Sequence, residues 1–301
     1  MNQEIIKNFI NTAKHKNIKT EIIGQAIAGT LVQFKKGKKI KQIWQTTTSN
    51  TKHISVRIAQ DKYLSNKIFL QHKLPVPMNI LITSKMQLLK ALRIIKPPFV
   101  IKPNESTRGN LVFCNLEKQK EALKCFRKIK KKFKRILIQE QVNGKDFRLL
   151  VINNKVIAAI ERIRPFIIGN GKDTIKELIK INNKKRLSND LKIIPTDEEV
   201  KKCLKKYSLD TNSIPKNEQK IFIHQAANIS TGGTGIDVMN KIHPAQKQLA
   251  VKATKLIGLD VAGVDILASN ITKDPITSDT KILEINAGPD LFIHFLALKS
   301  S

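Results

Sequence analysis

The sequence predicts an α/β or α+β protein, because segments with strand periodicity alternate with segments of helical periodicity and no tandem repeat occurs. The chain has 301 residues, 41% of them hydrophobic, which is enough for a sizeable core and for more than one lobe. Near the C-terminus, two apolar strand-like segments carry acidic and amide side chains. Such residues inside apolar strands indicate a functional site as well as a fold.

The predicted elements follow from periodicity and from turn residues. Residues 3–16 have the pattern of an amphipathic helix, and residues 20–34 that of short strands. A helix at 61–72 ends before prolines 75 and 77, which suit an extended segment. The later elements are a helix near 84–94, a strand at 99–103, a basic helix with Asn115 as candidate N-cap, a strand at 135–142, a hairpin at 147–163 with Asn153 and Asn154 as its turn, a polar, mainly helical stretch at 173–220, a strand at 220–230, a helix at 243–258 with a glycine stop, and strands at 261–267 and 281–287.

The charge is strongly basic, with 55 Lys and Arg against 24 Asp and Glu and a formal net charge of +31. Such an excess favours polyanions: nucleic acid, an anionic membrane, nucleotide phosphates or an acidic substrate. The densest run, 124–135, has Phe126, Ile129 and Phe133 at helical spacing. We interpret it as a solvated helix with a narrow apolar stripe, so nucleic acid is not the expected partner.

The cysteines Cys114, Cys125 and Cys203 are scattered and form no CxxC pair, so neither a disulfide framework nor a zinc site is predicted. The N-terminus has no signal-peptide core, and no apolar run is long enough to span a bilayer. We therefore expect a cytoplasmic protein with no membrane contact.

Three polar residues in the last two predicted strands suggest a metal site. Glu284 and Asn286 are alternate residues of the segment KILEINA and would share one face of a strand. Asp265 interrupts the apolar segment VAGVDIL. If the two strands pair, two carboxylates and an amide oxygen converge, and these ligands suit Mg²⁺ or Mn²⁺. The alternative is an edge strand with solvated acids.

A second candidate is the segment FVIKPNESTRGN, in which Lys102 ends an apolar strand. Lys102 could hold phosphate oxygens, with Ser106, Thr107 and the backbone near Gly109 as donors. The alternative is an ordinary loop after a strand. The glycine-rich TGGTGID at 231–237 could equally be a tight turn, since neither segment has the pattern G-x-x-x-x-G-K-[ST].

The order of several phrases is more specific than any one of them. GKDFRLLVINNKVIAAIERI, IIGNGKDTIKELI, AANISTGGTGIDV, IGLDVAGVDI and EINAGP follow one another along the chain. This series resembles the ATP-grasp ligases, most of all the ATP-grasp region of cyanophycin synthetases and then that of bifunctional glutathione synthetases. The resemblance covers roughly residues 20–295 and implies an α+β fold. In this fold, two α/β lobes enclose ATP. The resemblance also implies a short N-terminal segment at 1–60 and an ATP-grasp domain at 61–301, with a helical insertion at about 173–220.

The resemblance also implies site residues. Matched to the family motifs, these are Lys62 and Lys102 for the ATP phosphates; Glu140, Gln141 and Val142 for the adenine edge; Asp146 for the ribose; Asp265, Glu284 and Asn286 for the metal; Arg148 and Arg162 for the transferred phosphate and the acyl substrate; and Asn228 with the loop from Ser230 to Gly233, which face the γ-phosphate and the acyl phosphate.

The implied reaction is an ATP-dependent carboxylate–amine ligation through an acyl phosphate. Its cofactors are ATP and Mg²⁺ or Mn²⁺, and its substrates are amino acids or peptides, with an acidic acyl substrate favoured by the basic charge. The 301 residues contain no counterpart of the Mur-ligase-like second site of cyanophycin synthetases. Three possibilities therefore stay open: the protein adds a single residue type, works with a separate second ligase subunit, or forms a different amide. Self-association stays open as well.

Three departures from the family pattern affect this interpretation. The loop after Lys102 keeps only Gly109, and His224 stands where relatives have an arginine or lysine. The final phrase NAGPDLFIH has Asp290 for a glycine and Phe292 for a basic residue. By itself, His224 on an apolar segment would be a core histidine, whereas in the family position it would be a titratable cation near the phosphates. The alternative function is a binding protein of the same fold, with weak or lost turnover, that uses its basic surface on a polyanion.

Overall fold

The computed structural model describes residues 3–26, 29–106, 111–189, 191–225, 227 and 231–299. Their contacts divide the chain into two compact units. The first consists of Met1–Ala159 and Val238–Phe292, and the second of Ile160–Asp237 and Ile293–Ser301. No helix among the described residues has both the length and the apolar composition needed to cross a bilayer.

The helices and strands alternate as the sequence predicts. The helices are α1 (Gln3–His15), α2 (His53–Gln60), α3 (Lys62–Gln71), α4 (Lys85–Ile94), α5 (Gln119–Lys130), α6 (Ile175–Ser188), α7 (Glu198–Lys205), α8 (Pro244–Ile257) and α9 (Phe292–Lys299). The strands are β1 (Lys19–Ala26), β2 (Gly29–Lys36), β3 (Lys39–Trp44), β4 (Thr47–Thr48), β5 (Asn79–Ile82), β6 (Phe99–Pro103), β7 (Phe113–Leu116), β8 (Ile136–Glu140), β9 (Lys145–Ile152), β10 (Lys155–Ile163), β11 (Phe166–Ile168), β12 (Lys220–Phe222), β13 (Thr234–Asp237), β14 (Val261–Ala268) and β15 (Lys281–Ala287).

The first unit begins with an antiparallel meander in the order β1-β2-β3-β4. Next comes a four-stranded antiparallel sheet in the order β5-β8-β6-β7, and α4 and α5 cover it. Phe126 and Ile129 of α5 are buried against this sheet, as their spacing predicts. The basic run is thus an amphipathic helix whose charged face is solvated.

The start of α5 differs from the prediction. Asn115 is not its N-cap but lies in β7, whereas the helix begins after Lys118. The side chain of Glu121 accepts hydrogen bonds from the backbone amides of Glu117 and Lys118, at 3.1 and 3.0 Å. The acidic side chain of the first turn therefore satisfies the amides at this helix end.

The second large sheet of the first unit contains β9, β14 and β15, with β10 beside β9. The hairpin between β9 and β10 turns at Asn153 and Asn154, whose φ angles of 48° and 61° confirm the predicted two-residue turn. Helices α3 and α8 pack on each other, and α8 also packs on this sheet. Gly258, with φ 78°, ends α8 as predicted.

The second unit begins at Ile160, within β10. Residues 160–163 of β10 pair with β13, and β11 pairs with β12. Helices α6 and α7 share a small apolar core with these short strands. The strand predicted at 220–230 is shorter than expected and ends at Phe222, so His224 lies beyond it.

Candidate active site

The pairing of β14 with β15 brings the predicted acidic residues together. The strands are antiparallel, and Asp265 lies directly opposite Glu284. Directly opposed residues project from the same face, and Asn286 shares that face because it is two residues from Glu284. The amide nitrogen of Asn286 donates to Oε1 of Glu284 at 3.4 Å, which leaves the amide oxygen available for a ligand. The two strands do pair, which was the condition for these side chains to converge.

Arg148 reaches the same face from the other neighbour of β14. In the pairing of β9 with β14, Arg148 is opposite Asp265. Its Nε and Nη2 donate to the two carboxylate oxygens of Asp265 at 2.6 and 2.7 Å. Asp265 is 1% exposed, and this bidentate pair balances a carboxylate that would otherwise be costly to bury.

Two lysines adjoin these carboxylates. Nζ of Lys62 lies 3.5 Å from Oε2 of Glu284 and donates to the carbonyl of Ser106 at 2.6 Å. Lys102 is 7% exposed, and burial lowers its pKa to about 8; the charge of Glu284 raises this pKa and that of Lys62 lowers it. Among the described residues, the cations Lys62, Lys102 and Arg148 thus accompany the carboxylates of Asp265 and Glu284, and these cations favour an anionic ligand.

A network that the sequence analysis missed positions these lysines. Asp61 caps α3 by accepting from the amide of Leu64 at 2.9 Å, which fixes the turn that carries Lys62. Nη1 of Arg135 lies 2.6 Å from Oδ2 of Asp61 and 2.7 Å from Oε1 of Glu105. Because Glu105 is in the loop after Lys102, Arg135 connects this loop to the start of α3. Burial raises the pKa of Asp61, but hydrogen bonds from Asn104, Leu64 and Arg135 outweigh burial and hold the pKa below its usual value.

The family model of the RimK-like ATP-grasp domain matches residues 59–186 and 172–294 of this chain. The chain belongs to the RimK-like ATP-grasp family. The α+β fold and the family predicted from the sequence are confirmed.

Relatives of known name agree with this assignment. The chain is 32% identical over 276 residues to the cyanophycin synthetase of Trichormus variabilis, covering 90% of this chain and 31% of that protein. It is 31% identical over 277 residues to the glutathione biosynthesis bifunctional protein of Clostridium perfringens, covering 89% and 36% respectively. A crystal structure of a bifunctional glutathione synthetase from Pasteurella multocida aligns with a TM-score of 0.66 at 25% identity, covering 94% of this chain and 40% of that one. The chain therefore spans about a third of the length of its relatives.

The donor set of the ATP-grasp site suits a hard cation. Asp265, Glu284 and Asn286 offer two carboxylates and one amide oxygen on one face, and such ligands fit Mg²⁺ or Mn²⁺. Within the described residues, no three His, Cys, Asp or Glu side chains cluster as a metal site. The ligand set is thus limited to two acids, one of which also binds Arg148, and its metal-binding role stays a prediction.

The segment predicted for adenine begins at the last residue of β8, in the first unit. Oε1 of Glu140 accepts from the amide of Met78 at 2.9 Å, and Oε1 of Gln141 accepts from the amide of Asn115 at 3.0 Å. Nε2 of Gln141 donates to the carbonyl of Val142 at 3.2 Å. These hydrogen bonds join the Glu140 and Gln141 side chains to the backbone of neighbouring segments. The roles of these residues, and of Asp146 in β9, stay predictions.

The remaining predicted residues belong to the second unit or lie outside the described residues. Arg162 lies in β10 opposite Gly235. His224 is 4% exposed, and its Nε2 lies 3.3 Å from Oδ1 of Asp197 without the geometry of a hydrogen bond. Its role as a replacement for a cation stays a prediction. Thr107, Gly109, Asn228 and Ser230 lie outside the described residues.

Proposed function

We propose that the chain is an ATP-dependent carboxylate–amine ligase that forms an amide bond through an acyl phosphate, with an amino acid or an acidic peptide as substrate. The observation that supports this most is the cluster of Lys62, Lys102, Arg148, Asp265 and Glu284 in a chain of the ATP-grasp family. The cyanophycin and glutathione relatives support amino acids or peptides as substrates.

The charged residues suit phosphoryl transfer, which depends mainly on positioning and on charge neutralisation. Lys62 and Lys102 would hold phosphate oxygens, while Arg148 keeps Asp265 oriented. Asp265, Glu284 and Asn286 would hold a divalent metal ion, which supplies charge neutralisation to the phosphates when bound. This arrangement stabilises charge where it develops during the transfer.

The proposed chemistry has two balanced steps. A carboxylate oxygen of the substrate attacks the γ-phosphorus, the bond to the β-phosphate oxygen breaks, and ADP leaves with an acyl phosphate remaining. The amine then attacks the acyl carbon, the bond to the phosphate oxygen breaks, and inorganic phosphate and an amide form as the amine loses a proton. Exclusion of water would protect the acyl phosphate between the steps.

The proposal is tested by incubating the purified protein with ATP, Mg²⁺ and a panel of amino acids and short acidic peptides. We expect substrate-dependent release of ADP and a product whose mass is that of the two substrates less one water. Hydroxylamine in place of the amine should trap the acyl phosphate as a hydroxamate. ADP release that no substrate stimulates, with no amide and no hydroxamate, would refute ligase activity.

The basic surface provides a second test. If the charge of +31 serves an acidic substrate, mobility shifts with random DNA and RNA at physiological salt should be weak. Tight binding that weakens steeply with salt would instead support the polyanion-binding alternative.

We further propose a reducing, cytoplasmic location, since none of the three cysteines, all of which the structure describes, forms a disulfide.

The pKa of Lys102 predicts how nucleotide affinity depends on pH. Phosphates favour the protonated amine, so the pKa of about 8 in the free protein should rise in the complex. Affinity should be constant below about pH 8 and should fall above it, by up to about tenfold per pH unit. Equilibrium binding of ATP between pH 6.5 and 9.5, at fixed ionic strength, measures this.

Two variants identify the titrating group. In Lys102→Arg the guanidinium keeps its charge throughout this pH range, so the fall in ATP affinity above pH 8 should disappear. Thermal melting checks that the buried site accepts the larger side chain. The exposed Lys96→Arg is the matched control and should keep the wild-type profile. A folded Lys102→Arg protein with an unchanged fall would show that another group titrates.

A further inference from the structure

The second unit contains a buried guanidinium that has no acidic partner among the described residues. Arg186 of α6 is 7% exposed, and its Nε donates to the carbonyl of Lys192 at 2.7 Å. Its Nη2 is buried and has no hydrogen-bond partner in the described part of the chain. Burial lowers the pKa of this guanidinium, which remains a cation near neutral pH. Burying an unpaired charge is costly, which indicates that an anion completes the site.

Arg186 lines a cavity of about 150 Å³ within the second unit. Pockets for drug-sized ligands have volumes of roughly 300–1,000 Å³, so this cavity suits a small group and not a nucleotide. Among the described residues that line it, none is acidic. They are Arg164, Pro165, Phe166, Asn182, Arg186, Gly232 and Thr234.

A second cation is held at the cavity by aromatic contacts. The guanidinium of Arg164 lies 4.3 Å from the ring centroid of Phe222. Lys220 lies over the ring of Phe166, at 4.0 Å, and Phe166 and Phe222 meet edge to face at 6.1 Å. This stacking limits the motion of Arg164, so the cavity has two arginines, of which at least one is fixed by packing.

The glycine-rich loop forms another wall of the cavity. Gly232 has φ 87°, and a Cβ at this position would lie 2.5 Å from Cγ1 of Ile194. Only glycine fits here without a shift of the neighbouring side chain. The wall of the cavity thus includes Gly232 and Thr234 of the glycine-rich segment 231–237.

We propose that this cavity binds a carboxylate of the amino-acid or peptide substrate, with the guanidinium of Arg186 as its main donor and that of Arg164 as the second. A guanidinium matches the two oxygens of a carboxylate, and the lysines of the first unit already suit the ATP phosphates. We assign the carboxylate bound here to substrate recognition and not to phosphorylation. This inference rests on the proposed ligase function for its substrate.

The first experiment measures binding without nucleotide and so does not depend on turnover. Succinate, its neutral diamide succinamide and inorganic phosphate are titrated into the full chain by calorimetry. We expect succinate to bind, succinamide not to bind, and Arg186→Met to weaken succinate binding at least tenfold. The control Lys185→Met removes an exposed cation from the same turn of α6 and should bind succinate as wild type does.

Several outcomes would overturn the inference. These are equal binding of succinate and succinamide, tighter binding of phosphate than of succinate, and wild-type succinate affinity in a folded Arg186→Met protein. If Arg186→Met does not fold, Arg186→Lys keeps a cation without the planar fork, and its succinate affinity should fall severalfold. Unchanged affinity in that variant would equally count against the site.

The second experiment separates this site from the ligase activity. With any substrate pair that gives turnover, Arg186→Met should raise KM for the carboxylate substrate and leave KM for ATP unchanged. An analogue with a carboxamide in place of the recognised carboxylate should be used equally poorly by wild type and variant. A variant that changes only KM for ATP would overturn the site, whereas absence of all turnover in wild type would refute the ligase function and leave the succinate result to decide the cavity.

Discussion

Replacing Glu284 by glutamine should lower kcat for ADP formation at least about a hundredfold with the fold intact. The change keeps the size of the side chain but removes the charge that lies 3.5 Å from Lys62 and opposite Asp265. It removes one of the two carboxylates of the candidate metal site. Steady-state assays across a range of Mg²⁺ concentrations, with melting temperatures recorded alongside, measure the effect.

The same variant should also change the titration of Lys102. The charge of Glu284 raises the pKa of this buried lysine, so its removal should move the fall in nucleotide affinity to a pH below 8. Glu117→Gln makes the same change at an exposed position of the first unit and should alter neither property. Wild-type activity of Glu284→Gln with Mg²⁺ would show that the assignment of the metal site is wrong.

Replacing Arg148 by methionine should lower the free energy of unfolding by about 3–5 kcal/mol. The guanidinium forms two short hydrogen bonds to Asp265, and the two side chains are only 15% and 2% exposed. Without it, a nearly buried carboxylate loses its bidentate partner. Urea unfolding with unchanged m-values measures the difference.

A double variant separates loss of the ion pair from loss of packing. Arg148→Met with Asp265→Asn removes both charges, and it should be more stable than Arg148→Met alone because no charge is left uncompensated. Arg127→Met at an exposed position of α5 should change the stability by less than about 0.5 kcal/mol. If the double variant were no more stable than Arg148→Met, the cost would come from packing and not from the buried charge.

Local features of the fold could be predicted because they depend on neighbouring residues. The turn at Asn153 and Asn154 requires left-handed backbone angles that asparagine tolerates, and the structure has them. The alternation of KILEINA places Glu284 and Asn286 on one face, and their hydrogen bond agrees with this. The ordered phrases identified the family. The helices α2 and α9 and the short strands β3, β4, β7, β11 and β13 were not predicted.

The sequence by itself therefore determined the family, the order of the main elements and the faces of β14 and β15. Only the tertiary structure decided which charges meet. Arg148 and Asp265 are 117 residues apart and Arg135 and Asp61 are 74 apart, and no local pattern records such pairs. Likewise, a lysine at the end of an apolar strand does not reveal how deeply it is buried, yet burial is what lowers the pKa of Lys102. The burial of the Arg186 guanidinium, which has no acidic partner among the described residues, could not be predicted either, because an arginine in a polar helix is normally solvated.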